Sequence, residues 1–324
     1  MKKHSFLPGF CCGFLWLCAC AAGGPGATVP GALRSADADP APTDVSGNAN
    51  DASQDTATQT SETPRYTYAI FLGDTHFEDP GDSSDIHGQA MTQTFASLPY
   101  DLAGIFVAGD VVYTLPYATY DEYLADPNDR FDIAQRIFES WPAPVWPALG
   151  NHDYDFSNGR PMDLAPALFK HHFGTDPYYA VDLGTWKVLV LDNFKGPTLD
   201  LSSPEYDYDS GSLGAEQTAW LESQLSDGRP AVVMLHFPLF IVPGLPEVLA
   251  RHTDTIRLVI SGHSHAWINL SDNYSVPHLV VGGVTFDADS FLVLQLDNVL
   301  KTWRILNWAD FHWGSAYSLP YSGD

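Results

Sequence analysis

From residue 64 onward, short apolar runs alternate with glycines and small polar clusters. Residues 68–72, 105–108, 145–149, 232–235 and 256–260 are nearly continuous in Val, Ile, Leu, Phe, Trp and Ala. Runs of four or five such residues read as strands covered on both faces. Helical periodicity falls between them. Residues 129–139 place Phe131, Ala134, Ile137 and Phe138 on one face, and 162–173 carry a weaker stripe. Residues 214–225 group Trp220, Leu221 and Leu225 ahead of the stop signal Asp227-Gly228. Further on, 181–183, 186–191, 279–281, 291–296 and 303–306 read as strands, and the later ones follow one another with the short turns of antiparallel neighbours. Alternating strands and helices followed by meanders predict an α/β fold of two packed sheets flanked by helices. No internal repeat and no second folded domain is visible.

The residues that close each early run carry the chemistry. Gly73-Asp74-Thr75-His76 follows the first, Gly109-Asp110-Val111-Val112-Tyr113 the second and Gly150-Asn151-His152-Asp153 the third. His236 follows 232–235, and Gly262-His263-Ser264-His265 follows 256–260. These groups therefore sit at carboxyl ends of strands, the edge at which open α/β sheets bind ligands. Taken singly, Asp110 reads as a turn or capping aspartate, Asn151 as turn chemistry and His236 as a hydrogen-bonded core histidine. Together, carboxylate, imidazole and amide oxygen suit a pair of borderline or hard divalent cations. A tight turn can aim Asp74 and His76 at one ion, and His263 and His265 can reach neighbouring ions. Asp110, with two carboxylate oxygens, is the natural bridge.

In type and order these elements resemble the calcineurin-like metallophosphoesterase superfamily, whose pattern is D-x-H, G-D, G-N-H-[DE], H and G-H-x-H. All five are present over residues 73–265. The resemblance implies a four-layer α/β/β/α sandwich of two mixed sheets. It assigns Asp74, His76, Asp110 and His265 to one ion, and Asp110, Asn151, His236 and His263 to the other, with Mn, Fe, Zn or Co as the metals. Such ions lie about 3.5–4 Å apart and share an activated water or hydroxide. His152 would then be a non-ligand that serves the leaving group as general acid or stabilises transition-state charge. Asp153 would support that imidazole or cap a helix. The implied activity is hydrolysis of a small phosphomonoester. The alternatives are a phosphodiesterase acting on cyclic nucleotides or phospholipid headgroups and, from another class, a non-catalytic surface binding protein on the same fold.

Finer texture is mixed. Residues 109–113, 150–154, 213–221 and 236–239 look like purple, tartrate-resistant-type acid phosphatases. In those enzymes the tyrosine of Gly-Asp-x-x-Tyr binds ferric iron and the first motif lacks a histidine, whereas this chain has His76. Tyr113 thus reads as a metal ligand, a contact to ligands or substrate, or a packing residue. Stretches 77–88, 114–128, 154–162 and 196–212 read as loops lining the pocket, with His87 a solvated loop histidine. His171-His172 closes a helix, where imidazole suits the dipole. Asp192 reads as structural, and the aromatic-rich segment 303–321 as a strand plus surface closure.

Composition narrows the partners. The 324 residues carry 15 Lys+Arg against 40 Asp+Glu, a net charge of -25, with no basic patch. Nucleic-acid backbones would be repelled. The four cysteines, Cys11, Cys12, Cys18 and Cys20, all lie in the first twenty residues. The body of the chain therefore has neither disulfides nor thiolate ligands, and a metal site there must use N and O donors. Lys2-Lys3 followed by an apolar stretch to Ala19 reads as a signal peptide, residues 1–19, and Leu17-Cys18-Ala19-Cys20 resembles a bacterial lipobox. Cys20 would be the lipidated residue, making the protein an exported lipoprotein tethered to a membrane. Residues 20–63, rich in Ala, Asp, Thr, Ser, Gly and Pro, read as a disordered tether. As a coil it would span on the order of 35 Å. Residues 64–324 would form the metallophosphoesterase domain.

Overall fold

The structure, a computed structural model, describes residues 64–155, 159–193 and 211–314. The expected leader, lipobox and tether, and most of 196–212, lie outside them. The strands in chain order are β1 (Tyr66–Leu72), β2 (Leu102–Val107), β3 (Val145–Pro147), β4 (Tyr179–Leu183), β5 (Trp186–Val190), β6 (Ala231–Leu235), β7 (Ile256–Ser261), β8 (Ile268–Asn269), β9 (His278–Val280), β10 (Leu292–Asp297) and β11 (Trp303–Ile305). One sheet has the order β11-β10-β1-β2-β3 and the other β4-β5-β6-β7-β9-β8. Both are mixed. β1, β2 and β3 run parallel while β10 is antiparallel to β1 and β11. In the second sheet β5, β6, β7 and β9 are parallel, with β4 and β8 antiparallel at the edges.

The continuous apolar runs follow from this layering. In β1, Ala69 and Phe71 join the core that also holds Val188, Val190, Val232, Met234, Leu258 and Ile260 of the other sheet. Ile70 and Leu72 point the opposite way, into the core shared with helix residues such as Met91, Phe95 and Phe131. With a period of 2, both faces of the strand are buried, so no polar alternation is left to see. Phe71 and Phe106 stack across β1 and β2 at 4.8 Å.

The helices are α1 (Ser83–Ser97), α2 (Tyr120–Ala125), α3 (Arg130–Ser140), α4 (Asn151–Tyr154), α5 (Leu164–Phe173), α6 (Gly214–Leu225) and α7 (Leu245–Ala250). The three expected from periodicity correspond to α3, α5 and α6. Asp129 starts α3 by accepting the N–H groups of Phe131 and Asp132 at 2.7 and 3.1 Å.

The pattern misled in three places. The stretch 77–88 is not a loop throughout, because α1 begins at Ser83, capped by Asp82, which accepts the N–H of Asp85. Its buried residues are Ser84, Asp85, Gly88, Met91 and Phe95, so three of the five are small or polar. Gly88 is required there, since a Cβ would lie 2.7 Å from the Phe77 ring. The stretch 114–128 contains α2, whose Thr119–Glu122 capping box is complete. The late strands are not one meander either. β4–β5 and β10–β11 are antiparallel hairpins, but β9 pairs in parallel with β7 and β10 crosses to the other sheet.

One buried cation fastens α6 to the second sheet. Lys187 on β5 is buried, and its Nζ donates to Asp227 Oδ1 at 2.7 Å and to the Gln224 carbonyl. We expect Asp227→Ala to lower stability by about 2 kcal/mol, because an ammonium stays buried with one acceptor fewer while the lost partner is half exposed. The double variant Lys187→Met, Asp227→Ala should recover most of that loss. Urea unfolding of the three proteins checks this, and equal stability of the single variant and wild type would contradict it.

Candidate metal centre

The donors sit where strands end, and Asp74, Asp110, Asn151 and His263 each follow a glycine. A Cβ on Gly109, which has φ +85°, would lie 2.5 Å from the His236 ring. One on Gly262 would lie 2.7 Å from the Ala108 carbonyl and from Asp74 Oδ2, and one on Gly150 would collide with the Asp110 carboxylate. Only bare backbone lets the loops leaving the two sheets approach this closely.

The donors themselves take unusual conformations. Asp74, His76, Asp110, His263 and His265 have φ of 55°, 49°, 52°, 70° and 51°. Each such non-glycine residue costs about 1–3 kcal/mol, which the surroundings must offset. Here main-chain bonds between loops do so. Asp74 N–H donates to Gly109 O at 3.1 Å, His76 N–H to Asp110 O at 2.9 Å and Phe77 N–H to Val111 O at 2.9 Å. Gly262 N–H donates to His236 O at 3.0 Å, and Thr285 N–H to Asp74 O at 3.1 Å.

Asp110 is central among the side chains. Its Oδ2 lies 3.2 Å from His236 Nε2 and 3.7 Å from His76 Nε2, while Oδ1 accepts the N–H of His152 at 2.9 Å. His76 Nε2 and His265 Nε2 are 3.0 Å apart, and His265 Nε2 is 3.2 Å from Asp74 Oδ1. Asp74, His76, Asp110 and His265 thus form one group whose ligand atoms all lie within 4.8 Å of one another. Asp110, His236 and His263 form another, sharing Asp110 with the first. Asn151 joins this second group, its Oδ1 being 2.9 Å from His236 Nε2 and 3.1 Å from His263 Nδ1.

The donor chemistry fits a pair of cations. Ala108 O can only accept, so His236 Nδ1 carries the proton at 2.8 Å and Nε2 is turned toward two oxygens, those of Asn151 and Asp110. A nitrogen aimed at two acceptors calls for a positive charge between them. Burial pushes His76 and His263 down to about 4, against the pull of Asp110 and Asp74, so both are neutral and able to coordinate near pH 7. Burial also opposes charge on Asp110 and His236. Their mutual attraction outweighs it, holding Asp110 below the usual carboxylate range and pushing His236 up to about 9. All seven donors are N or O, the preference of borderline divalent metals.

His152 stands beside the first group without belonging to either. Its ring is 4.6 Å from that of His76, edge-on, and stacks on Tyr113 at 4.9 Å and 22°. Nδ1–H donates to the Tyr113 carbonyl at 2.6 Å. The Tyr113 ring is exposed and itself 5.5 Å from His76. Asp153 caps the start of α4. Its carboxylate accepts the N–H groups of Gly150, Val111 and Val112 at 2.8, 3.2 and 2.9 Å. Those bonds lash the Asp110 loop to the start of α4.

Two further braces were not legible in sequence. Asn193 clamps the residue after His236, donating to Phe237 O at 2.9 Å and accepting its N–H at 3.2 Å. His87 is no solvated loop residue. It lies on α1, and its Nδ1–H donates at 2.9 Å to Val284 O, whose residue in turn bonds Gly73. Asp192 is buried, bonded by the Tyr154 hydroxyl at 2.7 Å, as a structural residue. A polar residue just beyond a buried strand was the sole signal for Asn193.

An α/β sandwich with two adjoining N/O donor groups at its strand ends has the architecture of a metal-dependent hydrolase. The chain is a member of the calcineurin-like phosphoesterase family, whose model matches residues 69–267. It is a metal-dependent phosphoric ester hydrolase. A search of curated proteins found no match. Among solved structures, a dimetal phosphatase from Danio rerio is similar with a TM-score of 0.51 and 13% identity over 70% of this chain and 92% of that one. A 5'-nucleotidase from Candida albicans gives a TM-score of 0.42 and 14% identity over 71% of this chain and 47% of that one. A calcineurin-like phosphoesterase from Bacillus subtilis gives 0.41 and 12% over 74% and 88%.

Because both donor groups share Asp110, Asp110→Ala should lose both ions together rather than one. Elemental analysis of the purified variant is the check, and close to two ions per chain would refute the bridging role.

Proposed function

We propose that the chain hydrolyses small phosphomonoesters, with Asp74, His76, Asp110 and His265 holding one divalent ion and Asp110, Asn151, His236 and His263 the other. When bound, the ions supply an activated water and neutralise phosphoryl charge. The observation that carries the reading is His152. It lies beside the first donor group yet outside both, with its ring fixed from one side by the Tyr113 carbonyl and on its face by the Tyr113 ring. Nδ1 keeps its proton on that carbonyl, so Nε2 is the atom that delivers a proton to a departing alkoxide. Asp110 Oδ1 holds the His152 main chain and Asp153 holds the loop, so the imidazole is oriented before substrate arrives. The similarity of residues 109–113 and 150–154 to acid phosphatases supports the monoester over the diester.

The test is a panel of monoesters and diesters with enzyme reconstituted with single metals. Monoesters should be the better substrates, and a preference for cyclic nucleotides or phospholipid-headgroup diesters would overturn the choice. In the same panel His152→Ala should keep its metal content and lose about 10²–10⁴-fold in kcat on alkyl phosphates. The loss should shrink for aryl phosphates with acidic phenols, which leave without a proton. A uniform loss across leaving groups would assign His152 to charge stabilisation at phosphorus instead.

We further propose that the enzyme is exported and anchored through a lipid on Cys20, a reading supported by Leu17-Cys18-Ala19-Cys20 after a short apolar stretch. Cys20→Ser should abolish partitioning into the detergent phase while leaving phosphatase activity intact. Unchanged partitioning would remove the lipobox reading.

A further inference from the structure

A second cluster of metal-philic side chains lies away from the strand ends, where the beginning of α3 meets the last turn of α5. One ligand atom each from Asp129, Asp132 and His172 lies within 4.8 Å of the others, and none of the three belongs to the donor groups described above. His172 Nε2 is 3.8 Å from Asp129 Oδ2, and Nδ1 is 3.6 Å from Asp132 Oδ1. These separations are too long for hydrogen bonds. The His172 side chain is 3% exposed and that of Asp129 1%. Among the described residues His172 Nε2 has no hydrogen-bond partner.

The surroundings determine which nitrogen is the donor. Gln135 Nε2 donates to Glu139 Oε1 at 2.9 Å, which fixes the amide and turns its Oε1 toward His172. That oxygen can only accept, so His172 Nδ1 carries the proton across the 3.2 Å contact. Nε2 is then a lone pair, buried and directed at the Asp129 carboxylate. A histidine whose far nitrogen donates to a side-chain oxygen while its near nitrogen faces the Asp129 carboxylate has the arrangement of a metal ligand with its orienting partner.

The carboxylates are also short of positive charge. Asp129 Oδ1 is committed to capping α3, leaving Oδ2 toward the imidazole. Arg130 is directed elsewhere, to the Thr114 carbonyl at 2.9 Å and to Glu78 at 3.3 Å. Among the described residues no lysine or arginine bonds Asp129 or Asp132. Burial, reinforced by the neighbouring Asp132, pushes Asp129 up to about 6. Burial pushes His172 down to about 4 against the attraction of Asp132, so the imidazole is neutral near pH 7.

We propose that Asp129, Asp132 and His172 Nε2 form a structural binding site for one divalent cation of the zinc and manganese type, separate from the catalytic pair. Donors bound to such an ion at about 2.1 Å lie roughly 3–3.4 Å from one another, so Nε2 and Asp129 Oδ2 close by only a few tenths of an ångström on loading, while the partly exposed Asp132 carboxylate turns from the Nδ1 side to complete the site. Three protein donors leave coordination positions for water on the side of Asp132, whose side chain is 30% exposed. The ion would clasp α3 to α5, joining residues forty positions apart across the helix layer.

The test uses the full-length protein, dialysed against zinc and then against buffer, with ions counted per chain and melting followed with and without zinc. Wild type should hold one ion more than Asp132→Asn or His172→Gln, and only wild type should gain the melting increment associated with that ion. Both variants should hydrolyse an aryl phosphate as wild type does, since the catalytic donors are untouched. Asp132 is partly exposed, so Asp132→Asn carries the test if His172→Gln fails to fold. Equal ion counts in Asp132→Asn and wild type would overturn the site and leave a neutral imidazole packed between two carboxyl groups.

Discussion

Five residues of the two candidate donor groups, held in the left-handed region of backbone space, are the constraint around which the rest of this structure is arranged. Asp74, His76, Asp110, His263 and His265 each bend the chain sharply just past a strand, which turns side chains of neighbouring loops toward one point. At about 1–3 kcal/mol each, the combined strain rivals the whole net stability of an ordinary domain. It persists because the loops are bonded to one another rather than to solvent. The Asp153 carboxylate, the Asn193 amide and His87 on α1 all spend their polar atoms on main chain beside a donor. Substitutions at these braces should therefore be felt at the metals even though none of the three is a donor.

The ligands come from both sheets. Asp74, His76, Asp110 and Asn151 follow β1, β2 and β3, whereas His236, His263 and His265 follow β6 and β7. Neither sheet alone holds a complete donor group. The centre exists only once Phe71, Phe106, Val190 and Met234 have closed the apolar layer between the sheets. Metal binding thus reports on sheet stacking and contributes to it, since binding to the native state alone shifts the folding equilibrium.

How much of this was readable beforehand depended on the range of the signal. The strands before the donors were legible because both of their faces are buried, and the donors because glycine, carboxylate and imidazole recur where those runs stop. Helix α1 was hidden by Ser84 and Gly88, which occupy core positions that an apolar stripe would have marked. Helices α2 and α7, six residues each, are too short for a 3.6-residue period to register. The direction of β9 depends on pairing with β7, a partner that turn length does not specify. The juxtaposition of Asp129 with His172 was equally hidden, since it arises from the packing of α3 on α5 and not from any local spacing.

The direction of β1 has a mechanical consequence. Its seven residues run from Tyr66 to Leu72 and deliver the chain to Asp74 at the far end, roughly 20 Å from where the strand begins. The chain thus enters β1 at the end remote from the candidate donors, where Asp297 accepts from the Arg65 guanidinium and the Asn298 N–H donates to the Arg65 carbonyl. A pull on the amino-terminal segment would load β1 lengthwise against its two neighbours, in shear across many ladder bonds at once. The end that carries the candidate donors would stay slack, so a load applied at Arg65 would not be passed to it.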